Sequence, residues 1–274
     1  MAFLDETIGL FAGEGDLSVE IARRLFERGR PPLVFSFGEK TAPLEKWALE
    51  VTRIERPALG ELLGKLRSRG IKNLVLAGFV PKSLIFRPDL LDDDLRGILS
   101  SLPFRDDHSL LGAIVSFFES RGVTVLPYRD IIPELLAPRG TIAGRQPLPG
   151  EEEDILYGLR IASALVPMSF GQTIVVRGRS VVAVEAMEGT DETIKRAGSI
   201  SGGGVVVKLM RPDQDERYDV PVVGTKTLLK MREAGIPCLA VEAGRTIVLG
   251  GDLFRERAKQ WDMAVTGVVP APSS

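Results

Sequence analysis

Short apolar runs of strand type alternate with stretches of helical period along the first half of this chain, and that alternation limits its fold more than any other feature. Residues 7–12 (TIGLFA), 31–37 (PPLVFSF), 73–78 (NLVLAG) and 123–127 (VTVLP) read as strands. Between them Val19, Ala22, Leu25 and Phe26 recur at helical spacing, and residues 59–69 form a second helical segment. A third helix opens at Asp106-Asp107-His108, and Leu110, Leu111, Ile114, Val115, Phe117 and Phe118 form its apolar stripe. Strands alternating with helices predict a parallel sheet covered on both faces, with ligands at the carboxyl ends of its strands. The fold class is therefore α/β, and residues 1–136 are expected to form a Rossmann-like domain.

Residues 137–150 (APRGTIAGRQPLPG) hold three prolines and three glycines without periodicity and read as a linker. Residues 151–274 would then be a distinct α/β domain. It starts on a helix with an acidic first turn at 151–154 and continues as a hairpin, 174–177 and 181–186, about Gly178-Arg179. Further strands are expected at 205–210, 237–242, 246–249 and 264–269, with helices at 225–234 and 252–261. The tail PAPSS reads as disordered.

Across 274 residues, 35 Lys and Arg stand against 37 Asp and Glu, a formal charge of -2 that provides no global field for nucleic acid. Arg23, Arg24, Arg28 and Arg30 are the candidates for local attraction to an anionic membrane, against the favoured reading of a solvated helix face. The single cysteine, Cys238, excludes an intrachain disulfide, and the single histidine, His108, excludes zinc sites that need two. With no signal peptide pattern and no apolar run near the roughly 20 residues that span a bilayer, the expectation is a cytoplasmic protein, soluble or peripherally bound to a membrane.

Chemistry concentrates in residues 181–224. Two apolar runs end in clusters of carboxylates and hydroxyls: Glu185, Glu188, Thr190 and Asp191 after the first, Asp213, Asp215, Glu216 and Asp219 after the second. Lys208, Arg211 and Arg217 are interleaved with them. Hard oxygen ligands beside cationic donors suit a phosphate substrate held through a divalent metal. The same acids also serve plain structural ends, since Thr190 and Asp191 form an ordinary helix start. Gly13 and Gly15 sit in a G-x-G-x-x-S turn between strand and helix, where backbone N–H groups can approach a phosphate. A dinucleotide fingerprint wants Gly or Ala last, and Glu14 and Asp16 would repel an anion over the loop.

The segments EAMEGTD at 185–191 and RPDQDERYDVPVVG at 211–224 resemble the LpxI family of UDP-2,3-diacylglucosamine pyrophosphatases of lipid A biosynthesis. The resemblance extends over the chain through GLFAGEGDLS, the D-D-x-x-L-L opening at Asp106, Gly171-Gln172 and the A-G-x-T segment at Ala243. It implies two unrelated α/β domains with the lipid between them, and hydrolysis of the substrate's diphosphate with Mg²⁺, or Mn²⁺, to UMP and 2,3-diacylglucosamine 1-phosphate. The family's catalytic aspartate matches Asp219, expected to hold metal or activate water, with Glu188, Asp191 and Asp215 as further candidates and Asp219 and Asp191 as the metal pair. Lys208 and Arg217 would hold phosphate oxygens. Gln172 and Thr190 would bond phosphate or uridine, Gly189 would allow close approach, and Gly13, Gly15, Asp107 and Thr227 complete the candidate substrate contacts. Ahead of Gly171-Gln172 the family carries an aspartate where this chain has Pro167-Met168-Ser169-Phe170, a departure that weakens a metal role there. Two acyl chains require an apolar groove, expected at the domain interface and including Phe79, Leu84, Ile85 and Phe86. The competing functions are a non-catalytic nucleotide-sugar or lipid sensor and a nucleotide-dependent oxidoreductase. Oligomeric state is left open.

Overall fold

The computed structural model describes residues 6–37, 41–81, 84, 87–102, 107–168 and 171–270. Two compact units emerge: residues up to Pro133 with Asp215–Asp219, and Glu134–Gln214 with Val220 onward.

In the first unit β1 (Ile8–Ala12), β2 (Leu33–Phe37), β3 (Glu50–Ile54), β4 (Asn73–Ala77) and β5 (Thr124–Val125) form a parallel sheet of order β3-β2-β1-β4-β5. This is the order of the first five strands of a doubly wound α/β fold. Its helices are α1 (Asp16–Glu27), the short α2 (Ala42–Glu45), α3 (Leu59–Ser68), α4 (Asp93–Ser101), α5 (Asp107–Glu119) and the short α6 (Tyr128–Ile131). Leu59, Leu62, Leu63 and Leu66 of α3 pack with Leu110, Val115, Phe117 and Phe118 of α5 and with Leu74 of β4 in one core. The carboxyl ends of β1 and β4 meet at two glycines. A Cβ on Gly78, where φ is +87°, would lie 2.6 Å from the backbone carbon and oxygen of Gly13, so neither position admits a side chain.

The second unit is built on a six-stranded sheet of order β6-β13-β11-β9-β7-β8. Its strands are β6 (Gly140–Gly144), β7 (Thr173–Arg177), β8 (Ser180–Val184), β9 (Val205–Lys208), β11 (Cys238–Glu242) and β13 (Ala264–Val268). The central β13, β11 and β9 run parallel, while β6, β7 and β8 add antiparallel edges. β10 (Val222–Val223) and β12 (Ile247–Val248) pair separately. The helices α7 (Pro149–Leu165), α8 (Gly189–Ile200), α9 (Thr225–Glu233) and α10 (Gly251–Gln260) cover the sheet, with Leu228, Met231 and Phe254 in one core and Ile155, Ala162 and Val207 in another.

Residues 137–150 are not the structureless linker expected from their prolines and glycines. Gly140–Gly144 pairs with β13 as an edge strand, where missing side chains and a bulged register are tolerated, and Pro149 opens α7. No helix among the described residues is long and apolar enough to cross a membrane. The arginines of α1 do not form an uncompensated patch. Arg23 pairs with Glu20 and Glu27, Arg24 pairs with Glu20, and Arg28 and Arg30 donate to the carbonyls of Ile131 and Glu6.

Candidate functional site

The first unit carries an apolar cavity of about 310 Å³ beyond the carboxyl ends of its strands. Phe11 and Leu76 reach it from β1 and β4, Leu62 from α3, and Leu111 and Ile114 from α5. Its mouth includes Phe79, which is 63% exposed. Phe79 and Leu84 line this cavity, while Ile85 and Phe86 lie outside the described residues. The cavity's lining belongs to this unit, together with Tyr218 and Asp219.

The five residues Asp215–Asp219 reach this unit from a chain that otherwise builds the second. They form a single turn in which the N–H groups of Tyr218 and Asp219 donate to the Asp215 carbonyl at 3.2 and 2.8 Å. Burial alone would raise the Asp215 carboxyl, but the Arg217 guanidinium and backbone N–H hold it below its ordinary value. Arg217 meets Asp215 with Nη2 at 2.6 Å and Nε at 2.9 Å, and Glu119 of α5 with Nη1 at 2.7 Å. Arg217, expected to hold phosphate, is here the ion-pair partner of two carboxylates. Asp215, a candidate for metal or water, is in turn the carboxylate that Arg217 holds. Tyr218, pushed up to about 12 chiefly by burial and then by Asp215, stays a neutral phenol on the cavity wall. Buried Tyr128 donates to the Leu76 carbonyl at 2.6 Å, and its hydroxyl is raised by burial first and by the charge of Asp219 second. Asp219 is thus the carboxylate that stands on an apolar wall, half-buried.

In the second unit a polar cluster gathers where β8, β9 and β11 end and β7 begins. Lys208, 5% exposed, donates from Nζ to Thr190 Oγ1 at 3.1 Å. Thr190 donates to Glu185 Oε1 at 3.0 Å and lies 3.3 Å from Thr173 Oγ1. Glu185 Oε2 accepts the Gln172 backbone N–H at 3.3 Å, and Gly171 is obligatory because a Cβ there would strike the Glu185 carbonyl. The Gln172 side-chain Oε1 is buried with no partner among the described residues, an acceptor waiting for a donor. Glu242 at the end of β11 accepts the Met210 N–H at 2.9 Å and pairs with Arg245. Glu185 stood in the expected polar cluster without a role of its own, and Thr173 and Glu242 were not expected there. The signal for Glu185 and Glu242 was a charge closing an otherwise apolar strand.

Other expected contacts take structural roles. Glu188 is exposed and ion-paired to Arg196 at 2.6 Å, and its carboxyl is lowered by its own backbone N–H and then by that guanidinium. Asp191 is exposed in the first turn of α8, a favourable place beside the helix dipole. Thr227 Oγ1 accepts the Gly224 N–H at 3.3 Å and caps α9. Gly13 does not present its N–H to a ligand, because that group donates to Ala77 at 2.7 Å and the next, Glu14, to Phe79 at 2.8 Å. Ser18 at the fingerprint's last position is buried and donates to the Gly13 carbonyl, so the loop is closed as a packing turn. Gly15 keeps open space around it at φ +108°, and Gly189 does so at φ +81°. The side chain of Asp107, with Ser169 and Phe170, lies outside the described residues.

A doubly wound unit with a carboxylate on the wall of an apolar cavity, followed in one chain by a mixed-sheet unit with a lysine buried among hydroxyls, defines a two-domain α/β protein. Residues 7–135 match the family model described as LpxI N-terminal domain, and residues 138–266 match that described as LpxI C-terminal domain. The chain belongs to the LpxI family. It is 30% identical over 280 residues to the UDP-2,3-diacylglucosamine pyrophosphatase LpxI of Caulobacter vibrioides, a match covering 96% of this chain and 98% of that protein. The identification drawn from the motifs joined a family to an activity and is corrected on that point. The family models name domains alone, so they establish membership, while the pyrophosphatase activity is carried by the relative's name.

Proposed function

We propose that this protein hydrolyses the diphosphate of UDP-2,3-diacylglucosamine to UMP and 2,3-diacylglucosamine 1-phosphate, a step of lipid A biosynthesis. One observation supports the reading above others: in a chain similar over nearly its whole length to a pyrophosphatase of that name, Asp219 lies on the wall of an apolar cavity. A substrate with acyl chains next to a phosphoanhydride needs those two surfaces side by side. Each methylene moved from water into such a cavity contributes about 0.8 kcal/mol, so the apolar wall anchors the lipid while the carboxylate meets the polar head.

In this reading Asp219 orients a water and takes its proton as the water oxygen bonds to phosphorus and the anhydride oxygen departs with the other phosphate. Within the second unit, the buried Gln172 Oε1 is an acceptor that an N–H or O–H donor, such as those uridine carries, would satisfy and an unprotonated phosphate would not. Glu185 and Thr190 hold Lys208 in place.

Among the described residues no group of three or more His, Cys, Asp or Glu side chains could cage a metal. The donor set fits instead the habit of Mg²⁺, which takes one or two carboxylates and fills its sphere with water and substrate phosphates. Asp219 with the substrate's phosphate oxygens would hold Mg²⁺ or Mn²⁺, which when bound neutralises charge on the diphosphate.

The test is release of UMP from UDP-2,3-diacylglucosamine in detergent micelles. UMP should appear with Mg²⁺, stop with EDTA and return with added Mg²⁺. No release at micromolar enzyme, or release unaffected by EDTA, would overturn the reaction or its metal respectively.

A further inference from the structure

The way residues 215–219 are fastened carries an inference about Arg217, and it rests on the reading that Asp219 acts on the substrate. Residues 134–214 and those from Val220 belong to the second unit, while this turn belongs to the first, where Tyr218 packs on the core. Polar contacts fasten it there as well. The Tyr128 N–H donates to the Glu216 carbonyl at 3.1 Å, Arg129 pairs with Glu216, and Arg217 reaches Glu119 at 2.7 Å. Within the turn, Arg217 also grips Asp215 through Nε and Nη2, while the Asp215 carboxylate accepts the Arg217 N–H at 2.9 Å. One guanidinium therefore closes the turn on itself and ties it to α5. Two residues further on stands Asp219, and two beyond that the Pro221 carbonyl accepts from Ile247 at 2.8 Å.

We infer that Arg217 is a positioning residue, a clip that sets Asp219 on the cavity wall by binding Asp215 and Glu119, and that Glu119 is its necessary partner. A planar guanidinium suits the task because two carboxylates can bind different edges of it at once, which fixes direction as well as distance; an ammonium would supply charge without that direction. Glu119 sits on α5, the helix that contributes Leu111 and Ile114 to the cavity, so the clip refers Asp219 to the surface that would hold the lipid.

A phosphate-binding Arg217 and a clip respond oppositely when Glu119 is neutralised. Under the clip, Glu119→Gln lowers kcat about tenfold with KM within about twofold, because misplacing a reacting group by about an ångström costs up to about a hundredfold. Arg217→Met lowers kcat further, and adding Glu119→Gln to it changes nothing more, since the partner is already lost. If Arg217 bound phosphate, Glu119→Gln would leave turnover intact or raise it, and Arg217→Met would act mainly on KM. Either result overturns the clip. Arg217→Lys should recover only a small part of the loss.

A second measurement does not depend on turnover. The amides of Tyr218 and Asp219 donate to the Asp215 carbonyl, so their hydrogen exchange should speed about tenfold or more in both single variants while amides of the first unit's sheet stay protected. Unchanged protection in Arg217→Met overturns the inference whatever the wild type hydrolyses. Lost protection in variants of a wild type that releases no UMP keeps the clip and removes the hydrolase reading instead.

Discussion

Gly78 offers the sharpest test of how the cavity mouth is built. The Gly78→Ala side chain would have to occupy a backbone conformation at φ +87° and place its Cβ 2.6 Å from the carbon and oxygen of Gly13 and 2.9 Å from the Glu14 carbonyl oxygen. All three are backbone atoms, held by the reciprocal bonds between Glu14 and Phe79 at 2.8 Å, so they cannot move aside as the end of a flexible side chain would. The left-handed conformation costs an L-residue roughly 1–2 kcal/mol. The overlap adds about 1–3 kcal/mol, as overpacking does elsewhere, for a sum of about 2–5 kcal/mol. That is a large share of the roughly 5–15 kcal/mol that stabilises a domain.

Gly70→Ala is the control: φ there is +66°, with nothing within 4 Å of the added carbon, so it meets only the conformational cost. Urea unfolding, followed by far-UV circular dichroism and tryptophan fluorescence, measures both. Trp47 lies in the first unit and Trp261 in the second, so Trp47→Phe and Trp261→Phe backgrounds separate the two transitions. Gly78→Ala should lower the first unit's midpoint more than Gly70→Ala, by the equivalent of about 1–3 kcal/mol, and leave the second unit's midpoint in place. A Gly78→Ala protein no weaker than Gly70→Ala would refute the argument that these two loops are locked together.

Cys238 is wholly buried in β11, and burial first, with Glu151 adding to it, pushes its thiol up to about 12. A thiol reagent at pH 8 should therefore leave the folded protein unlabelled and label one cysteine per chain in urea; rapid native labelling would contradict that placement. Burial alone would raise the carboxyls of Glu20, Glu151 and Asp215, but their guanidinium partners hold all three below the ordinary 4.5 for Glu and 3.8 for Asp. Between those values and the lower folded ones the unfolded chain binds more protons. The stabilisation is thus complete above about pH 4.5 and is lost as pH falls through the folded values, which urea midpoints from pH 6 down to pH 3 should trace. For Glu151→Gln the loss on acidification should be smaller, and an unchanged acid slope would show that the Arg145–Glu151 pair, at 2.7 Å, contributes nothing.

The first unit's sheet was legible because β1, β2 and β4 are apolar runs covered on both faces, and the α/β class followed from their alternation with helices. β3 escaped because Glu50 and Arg53 interrupt its pattern, and an edge strand can carry such charges into solvent. α4 escaped because three consecutive aspartates look like a loop, yet Asp92 caps the helix by accepting the Leu95 N–H. The expected linker hid β6, whose glycines weaken the strand signal. In the site, residue types were readable and partners were not. Lys208 and Arg217 look alike in sequence, but one is buried against a threonine hydroxyl and the other is neutralised by Asp215 and Glu119. Ninety-eight residues separate Arg217 from Glu119, so no local pattern could announce that pair or the passage of residues 215–219 into the other unit.

The reading of the site concentrates on Asp219, and the Asp219→Asn substitution isolates its charge without removing its bulk. UMP release from UDP-2,3-diacylglucosamine by this variant, with its urea midpoint held at the wild-type value, should fall by about two orders of magnitude or more, the scale of losing one transition-state interaction. Wild-type turnover in that folded variant would contradict the account.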